Sequence, residues 1–222
     1  MFKAILFDLD GTLLDRDKSI LSFIENQYER LIESLSHIGK EKYVSRFIEL
    51  DNHGYVWKDK VYQELIKEFN ITSLRWEQLL HDYLVEFKHH CISFPHTENM
   101  LDEFKRNNFA LGIITNGYGQ FQTDNLKALG IEGYFDVILV SEWEGIKKPN
   151  PQIFLNALKK LQIEPQESIF VGDHLENDIR AAENVGMMAI LKNSTGNTDD
   201  RANIVIDDYL ELPLIVKKLV KE

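Results

Sequence analysis

Two aspartates, Asp8 and Asp10, close a short apolar run near the amino terminus, in the stretch FDLDGTLLD (7–15). On extended backbone, residues two apart point to the same side, so both carboxylates share one face while Leu9 points away. Carboxylates this close repel each other unless one stays protonated or a cation sits between them. The pair therefore suits proton transfer or cation binding. Gly11 follows, a residue free to take a turn conformation that others resist. Asp-Gly also makes a plain turn after a buried strand, and the pair alone does not decide between the two.

The elements that must position this pair are written in the spacing of apolar residues. FKAILFD (2–8) is a short apolar run ending in acid, the signature of a buried parallel strand. From about Asp17 to His90 the period becomes helical. Ile20, Phe23, Ile24, Tyr28 and Leu31 recur at three- and four-residue spacing, as do Val61, Tyr62, Leu65 and Phe69, and again Trp76, Leu79, Leu80 and Tyr83. After Phe94-Pro95 strands and helices alternate. FALGIIT (109–115), FDVILV (135–140), SIFVG (168–172), MMAIL (187–191) and NIVI (203–206) read as strands, with helices in between. This order predicts a parallel sheet with helical crossovers. Residues 1–16 and 93–222 are thus expected to form an α/β core, and 17–92 a helical cap inserted after the first strand.

Composition narrows the function. The 222 residues carry 25 Lys+Arg against 36 Asp+Glu, a formal net charge of −11. No basic stripe exists to displace counterions, so a nucleic-acid partner is not expected. No stretch approaches the roughly 20 apolar residues that span a bilayer, and Asp8 and Asp10 interrupt the amino-terminal apolar run, against a signal peptide. The single cysteine, Cys91, allows no internal disulfide and fits a reducing compartment. A cytoplasmic protein, monomer or homodimer, is the expectation. His89, His90 and Cys91 lack the spacing of a zinc site.

FDLDGTLLD does not stand alone. It resembles the first motif of the haloacid dehalogenase-like hydrolase superfamily. IITNG (113–117), KPNPQIF (148–154) and FVGDHLENDI (170–179) resemble the second, third and fourth motifs, in the family's order. The helical insertion sits where one branch of the superfamily carries its cap. The resemblance implies a Rossmann-like core and a covalent mechanism. Asp8 would attack phosphorus to give an aspartyl-phosphate, and Asp10 would protonate the leaving oxygen and then activate water. Thr115 and Asn116, at the second strand end, would hold phosphoryl oxygens, although Asn-Gly is also a favoured turn. Lys148, rather than its neighbour Lys147, matches the third motif and would offset charge on nucleophile and phosphate. Asn150-Pro151 reads as the cap and first turn of the next helix.

The resemblance also implies a Mg²⁺ ion, held by the side chains of Asp8 and Asp173 and the backbone carbonyl of Asp10; oxygen ligands suit that ion. Asp178 is expected to support the site through a water or through Lys148, and His174 to be incidental. Mg²⁺ and Lys148 would reverse the local sign for an anionic substrate meeting an acidic protein.

A phosphatase is preferred over a dehalogenase because Asp10 is present, whereas a halide leaving group needs no proton. The expected partner is a small phosphorylated metabolite, with a nucleoside monophosphate first and a sugar phosphate next. In DNHGYVWK (51–58), Trp57 could stack on a base or sugar and Lys58 could meet a second anionic group, against a plain helix connection. The cap would close over the core on hinges near Leu14–Asp17 and His90–Pro95. A sugar-phosphate mutase keeps the same two acids. A signalling receiver would place its acceptor on a middle strand and leave the insertion without a role. A non-catalytic phosphate-binding protein would not need every one of these side chains.

Overall fold

Short runs buried on both faces build the sheet. The strands β1 (Ala4–Phe7), β2 (Ala110–Thr115), β3 (Val137–Val140), β4 (Ser168–Gly172), β5 (Met188–Lys192) and β6 (Val205–Ile206) are all parallel. Their spatial order is β3-β2-β1-β4-β5-β6. This computed structural model describes residues 1–193 and 202–219. β4 has the bounds of its apolar run, and the other strands differ from theirs by one or two residues at an end. At β3 the reason is visible: Phe135 is held by a backbone bond to Glu132 in the preceding turn, so pairing begins only beyond it.

The chain divides into two compact units, Met1–Asp15 with Ser93–Glu222, and Arg16–Ile92. In the first, helices α6 (Thr97–Arg106), α7 (Gly119–Ala128), α8 (Ser141–Glu144), α9 (Pro151–Leu161), α10 (Ala181–Asn184) and α11 (Glu211–Leu219) follow the strands; α1–α5 belong to the second unit. Helix α9 starts where the chemistry says it should. The Asn150 side chain accepts from Gln152 N–H, Pro151 fills a position that needs no donor, and Ile153, Phe154, Ala157 and Leu158 form its buried stripe. That stripe packs with Ala4, Leu6, Phe170, Ala189 and Leu191 in one apolar cluster. Phe154 and Phe170 meet edge-on at 5.0 Å.

The second unit contains only helices: α1 (Arg16–Arg30), α2 (Ile32–Leu35), α3 (Lys40–Asp51), α4 (Lys58–Glu68) and α5 (Trp76–Glu86). Its interior is rich in rings, with Phe23 against Tyr83 at 5.4 Å and Phe47 against Tyr62 at 5.5 Å. The buried Gln27 is satisfied on both sides, accepting from Tyr62 Oη and donating to Asp82 Oδ2. No helix among the described residues is long and apolar enough to cross a membrane.

Candidate active site

Strand order reverses around β1: the chain runs from it to β2 on one side and later reaches β4 on the other. In open parallel sheets, ligands bind at the carboxyl ends beside such a reversal. Phe7 pairs with Ile113 and with Val171, so the next residues of all three strands emerge together. Asp8 extends β1 by one more bond, its N–H donating to Val171 O at 2.9 Å.

Beyond Asp8 the backbone winds into a tight loop. Leu9 O accepts from the N–H groups of Thr12, Leu13 and Leu14, and the fully buried Tyr209 donates its hydroxyl to Thr12 O at 2.8 Å. Gly11 sits at φ +76°, and a Cβ there would lie 2.1 Å from Asp173 Oδ2. Glycine is required twice over, by the left-handed backbone and by the approach of Asp173. Gly172 plays a similar part at β4, where a Cβ would lie 2.4 Å from that of Asp178.

Lys148 is the hub. Its ammonium lies 2.7 Å from Asp8 Oδ1, 2.6 Å from Asp178 Oδ1 and 5.5 Å from the centre of the Phe170 ring. Burial alone would lower its pKa, but the carboxylates of Asp178 and Asp8 outweigh that and hold it above its ordinary value. Lys148 is cationic here. Burial, with help from Asp178 and Asp10, pushes the Asp8 carboxyl up to about 7 against the lowering pull of Lys148. Burial likewise raises Asp173 well above the usual carboxylate range, with Asp8 and Asp178 adding to it.

Carboxylate oxygens of Asp8, Asp173 and Asp178 lie within 4.8 Å of one another, a set of hard donors close enough for one cation. The three are not equivalent. Both oxygens of Asp178 are engaged, one by Lys148 and the other by His174 N–H at 3.0 Å. Among the described residues no hydrogen bond or ion pair engages the Asp173 carboxylate. Close carboxylates, with the Asp173 group unengaged by any other described residue, are a donor set that fits a divalent metal. The Asp10 carboxylate is not one of this set; its Oδ2 accepts from Gln122 Nε2 at 2.5 Å.

Thr115 is buried at the end of β2, and its hydroxyl accepts from the same Gln122 nitrogen at 2.9 Å. Asn116 spends its side chain on the backbone of Lys148, donating to its carbonyl at 3.0 Å and accepting its N–H at 2.9 Å. That amide holds the lysine in place and leaves only the Asn116 main chain for a phosphoryl oxygen. Trp57 and Lys58 lie in the helical unit. Trp57 is 63% exposed, while Lys58 is 8% exposed, ion-paired with Asp51 and set over the Tyr83 ring at 5.3 Å. A groove of about 530 Å³ lined by Leu21, Val44 and Ile48 of the helical unit holds none of the predicted site residues.

Two contributors escape the sequence reading. Gln122 is buried on α7. His174 is more than incidental, because its Nδ1 accepts from the N–H groups of Glu176 and Asn177 and so starts the π-helical turn Leu175–Arg180 that carries Asp178. Histidine is outside the usual set of N-cap residues, so the sequence carries no signal of this role.

The chain matches the haloacid dehalogenase-like hydrolase family over residues 5–192. It is 29% identical to the glyceraldehyde 3-phosphate phosphatase of Methanopyrus kandleri, with all of both chains covered. It is 31% identical to the glyceraldehyde 3-phosphate phosphatase of Pyrococcus furiosus, over 85% of this chain and 79% of that one. The crystal structure of a HAD phosphatase from Thermococcus onnurineus shares the fold at a TM-score of 0.69 and 31% identity, covering 97% of this chain and 98% of that one. On a match that takes in most of the chain, shared by its fold, this protein belongs to the haloacid dehalogenase-like hydrolase family and is an enzyme of the phosphatase kind.

Proposed function

We propose that the enzyme hydrolyses a small phosphate monoester through a phosphoryl group carried on Asp8. The observation that carries this reading is that the two acids of the first motif have different partners. Asp8 faces the Lys148 ammonium and the Asp173 carboxylate, as a nucleophile aimed at an anion must. Asp10 instead accepts from Gln122 Nε2, the amide that also donates to the Thr115 hydroxyl, a partner suited to holding a carboxyl group for proton transfer.

In this reading an Asp8 oxygen bonds to phosphorus while the ester bond to the leaving oxygen breaks. Asp10 delivers its proton to that oxygen. It then takes a proton from the water that attacks the aspartyl-phosphate, and inorganic phosphate leaves with Asp8 restored. Lys148 and the Thr115 hydroxyl offset charge on the phosphoryl oxygens. Asp8 and Asp173, with the carbonyl of Asp10, would hold a Mg²⁺ ion, which when bound neutralises phosphoryl charge. Asp178 serves by fixing Lys148 and the start of its own helical turn.

The substrate class follows the relatives. Glyceraldehyde 3-phosphate phosphatases stand among them, so a short sugar phosphate takes precedence over a nucleoside monophosphate. Phosphate release would be measured from glyceraldehyde 3-phosphate, nucleoside monophosphates and p-nitrophenyl phosphate, with Mg²⁺, with chelator and with Asp8→Asn. The expected result is Mg²⁺-dependent release, highest on the sugar phosphate and lost in the variant. Release that survives chelation or Asp8→Asn would contradict the reading.

A further inference from the structure

The Gln122 side chain does something that packing alone does not ask of it. It lies 2% exposed on α7, 112 residues away in sequence from the acid it touches. Its Nε2 reaches three oxygens at once: Asp10 Oδ2 at 2.5 Å, Thr115 Oγ1 at 2.9 Å and Asn116 O at 3.0 Å. The other end of the amide, Oε1, accepts from Asn125 Nδ2 at 3.3 Å. A primary amide donates only from nitrogen and accepts only at oxygen. With a donor on one side and three acceptors on the other, its orientation is fixed.

We propose that Gln122 is a positioning residue for Asp10: it occupies Oδ2 and so assigns the proton-transfer task to Oδ1. The proposal rests on the acid–base role given to Asp10 above. When the leaving oxygen takes the proton from Oδ1, the electron pair left on the carboxylate is shared with Oδ2, where an N–H already waits. When water attacks the aspartyl-phosphate, Oδ1 takes the proton back. Without the amide, the carboxyl group is free to rotate about Cβ–Cγ, and no single oxygen is held toward the substrate. The same nitrogen donates to Thr115 Oγ1, whose own proton goes to Asn116 O at 3.5 Å. A purely structural amide would need neither contact, because Asp10 is part-exposed and can be satisfied by water.

The test uses the dependence of rate on the leaving group. A positioned acid matters for a poor leaving group and hardly at all for a good one. Values of kcat/KM would be compared on phenyl phosphate and 2,4-dinitrophenyl phosphate for the native enzyme, Asp10→Asn, Gln122→Met and Gln122→Glu, all with Mg²⁺. Met keeps the volume and removes the donor; Glu keeps the shape and replaces the donor with a like charge. General acid catalysis is worth roughly 10²–10⁴-fold, so losing its alignment should cost phenyl phosphate about 10–100-fold and the dinitrophenyl ester within about threefold. Thermal unfolding checks that each variant is folded, and Gln122→Glu stands in if Gln122→Met is not. Selectivity against the poor leaving group in a Gln122 variant, parallel to that of Asp10→Asn, is the expected result. Equal losses on both esters in the Gln122 variants, while Asp10→Asn stays selective, would overturn the positioning role. Absence of selectivity in Asp10→Asn itself would overturn the acid role, and this proposal with it.

Discussion

Lys148 and Asp178 meet at 2.6 Å with both side chains out of solvent, and the same ammonium reaches Asp8 at 2.7 Å. A buried cation shared by two buried acids is hard to lose from either side. Removing one partner of a buried ion pair leaves an uncompensated charge and typically costs about 3–5 kcal/mol. Lys148→Met should therefore lower the unfolding free energy by about that amount in a denaturant titration, and should abolish turnover. Asp178→Asn should cost less, because an amide oxygen can still accept from the lysine. A Lys148→Met protein of native stability would show that the ion pairs do not hold the site together.

The raised Asp8 carboxyl makes the metal-free protein sensitive to pH. Its ordinary value is 3.8 and the folded one about 7. Between these, the folded state binds the proton and the unfolded state does not, so stability falls as pH rises from about 4 to about 7. Asp8→Asn should flatten that slope in unfolding curves taken with chelator present. Added Mg²⁺ should raise stability most at the upper end of the window, where Asp8 is ionised. Stability of the metal-free protein that climbs steadily across the same window in the native chain, and is unchanged by Asp8→Asn, would refute this.

Gly11 answers to both backbone and neighbour. Alanine at φ +76° costs about 1–2 kcal/mol from the left-handed conformation alone. Its Cβ would also displace the Asp173 carboxylate. Gly11→Ala should thus weaken Mg²⁺ binding, read by calorimetry, well beyond its effect on melting temperature. Unchanged affinity would mean that Asp173 is not a ligand.

Much of the site was legible because its residues are local. Asp8 and Asp10 announce themselves by a spacing of two on a strand, and Asn150-Pro151 announces a helix start. Gln122 gives no such sign, since its partners arrive from β1 and β2 and only the fold brings them together. The trace it leaves is a pair of polar residues, Gln122 and Asn125, on the buried stripe of an otherwise ordinary helix. The side-chain task of Asn116 gives no local sign either, since it pairs with the Lys148 backbone across 32 residues. Helix α3 lies within the stretch read as helical, and its buried residues, Tyr43, Val44, Phe47 and Asp51, keep helical spacing but include an acid.

That acid carries its own prediction. Burial pushes the Asp51 carboxyl up, but Arg16 and Lys58 outweigh it and hold the group below its ordinary value. Its stabilising contribution is present above pH 3.8 and is lost as pH falls through the lower folded value. Asp51→Ala should destabilise the helical unit by about 3–5 kcal/mol at neutral pH, because it removes the buried carboxylate that Arg16 and Lys58 share. The difference from the native chain should shrink in strong acid. Equal stability at neutral pH would show that solvent already screens the group.

The central claim is that Asp8 carries the phosphoryl group. The most direct measurement is an acid quench of the enzyme turning over p-nitrophenyl phosphate with Mg²⁺, followed by peptide mapping with mass spectrometry. The account predicts one added phosphoryl group on the peptide containing Asp8, localised to Asp8 and absent in Asp8→Asn. A phosphoryl group found on another residue, with Asp8 unmodified, would contradict it.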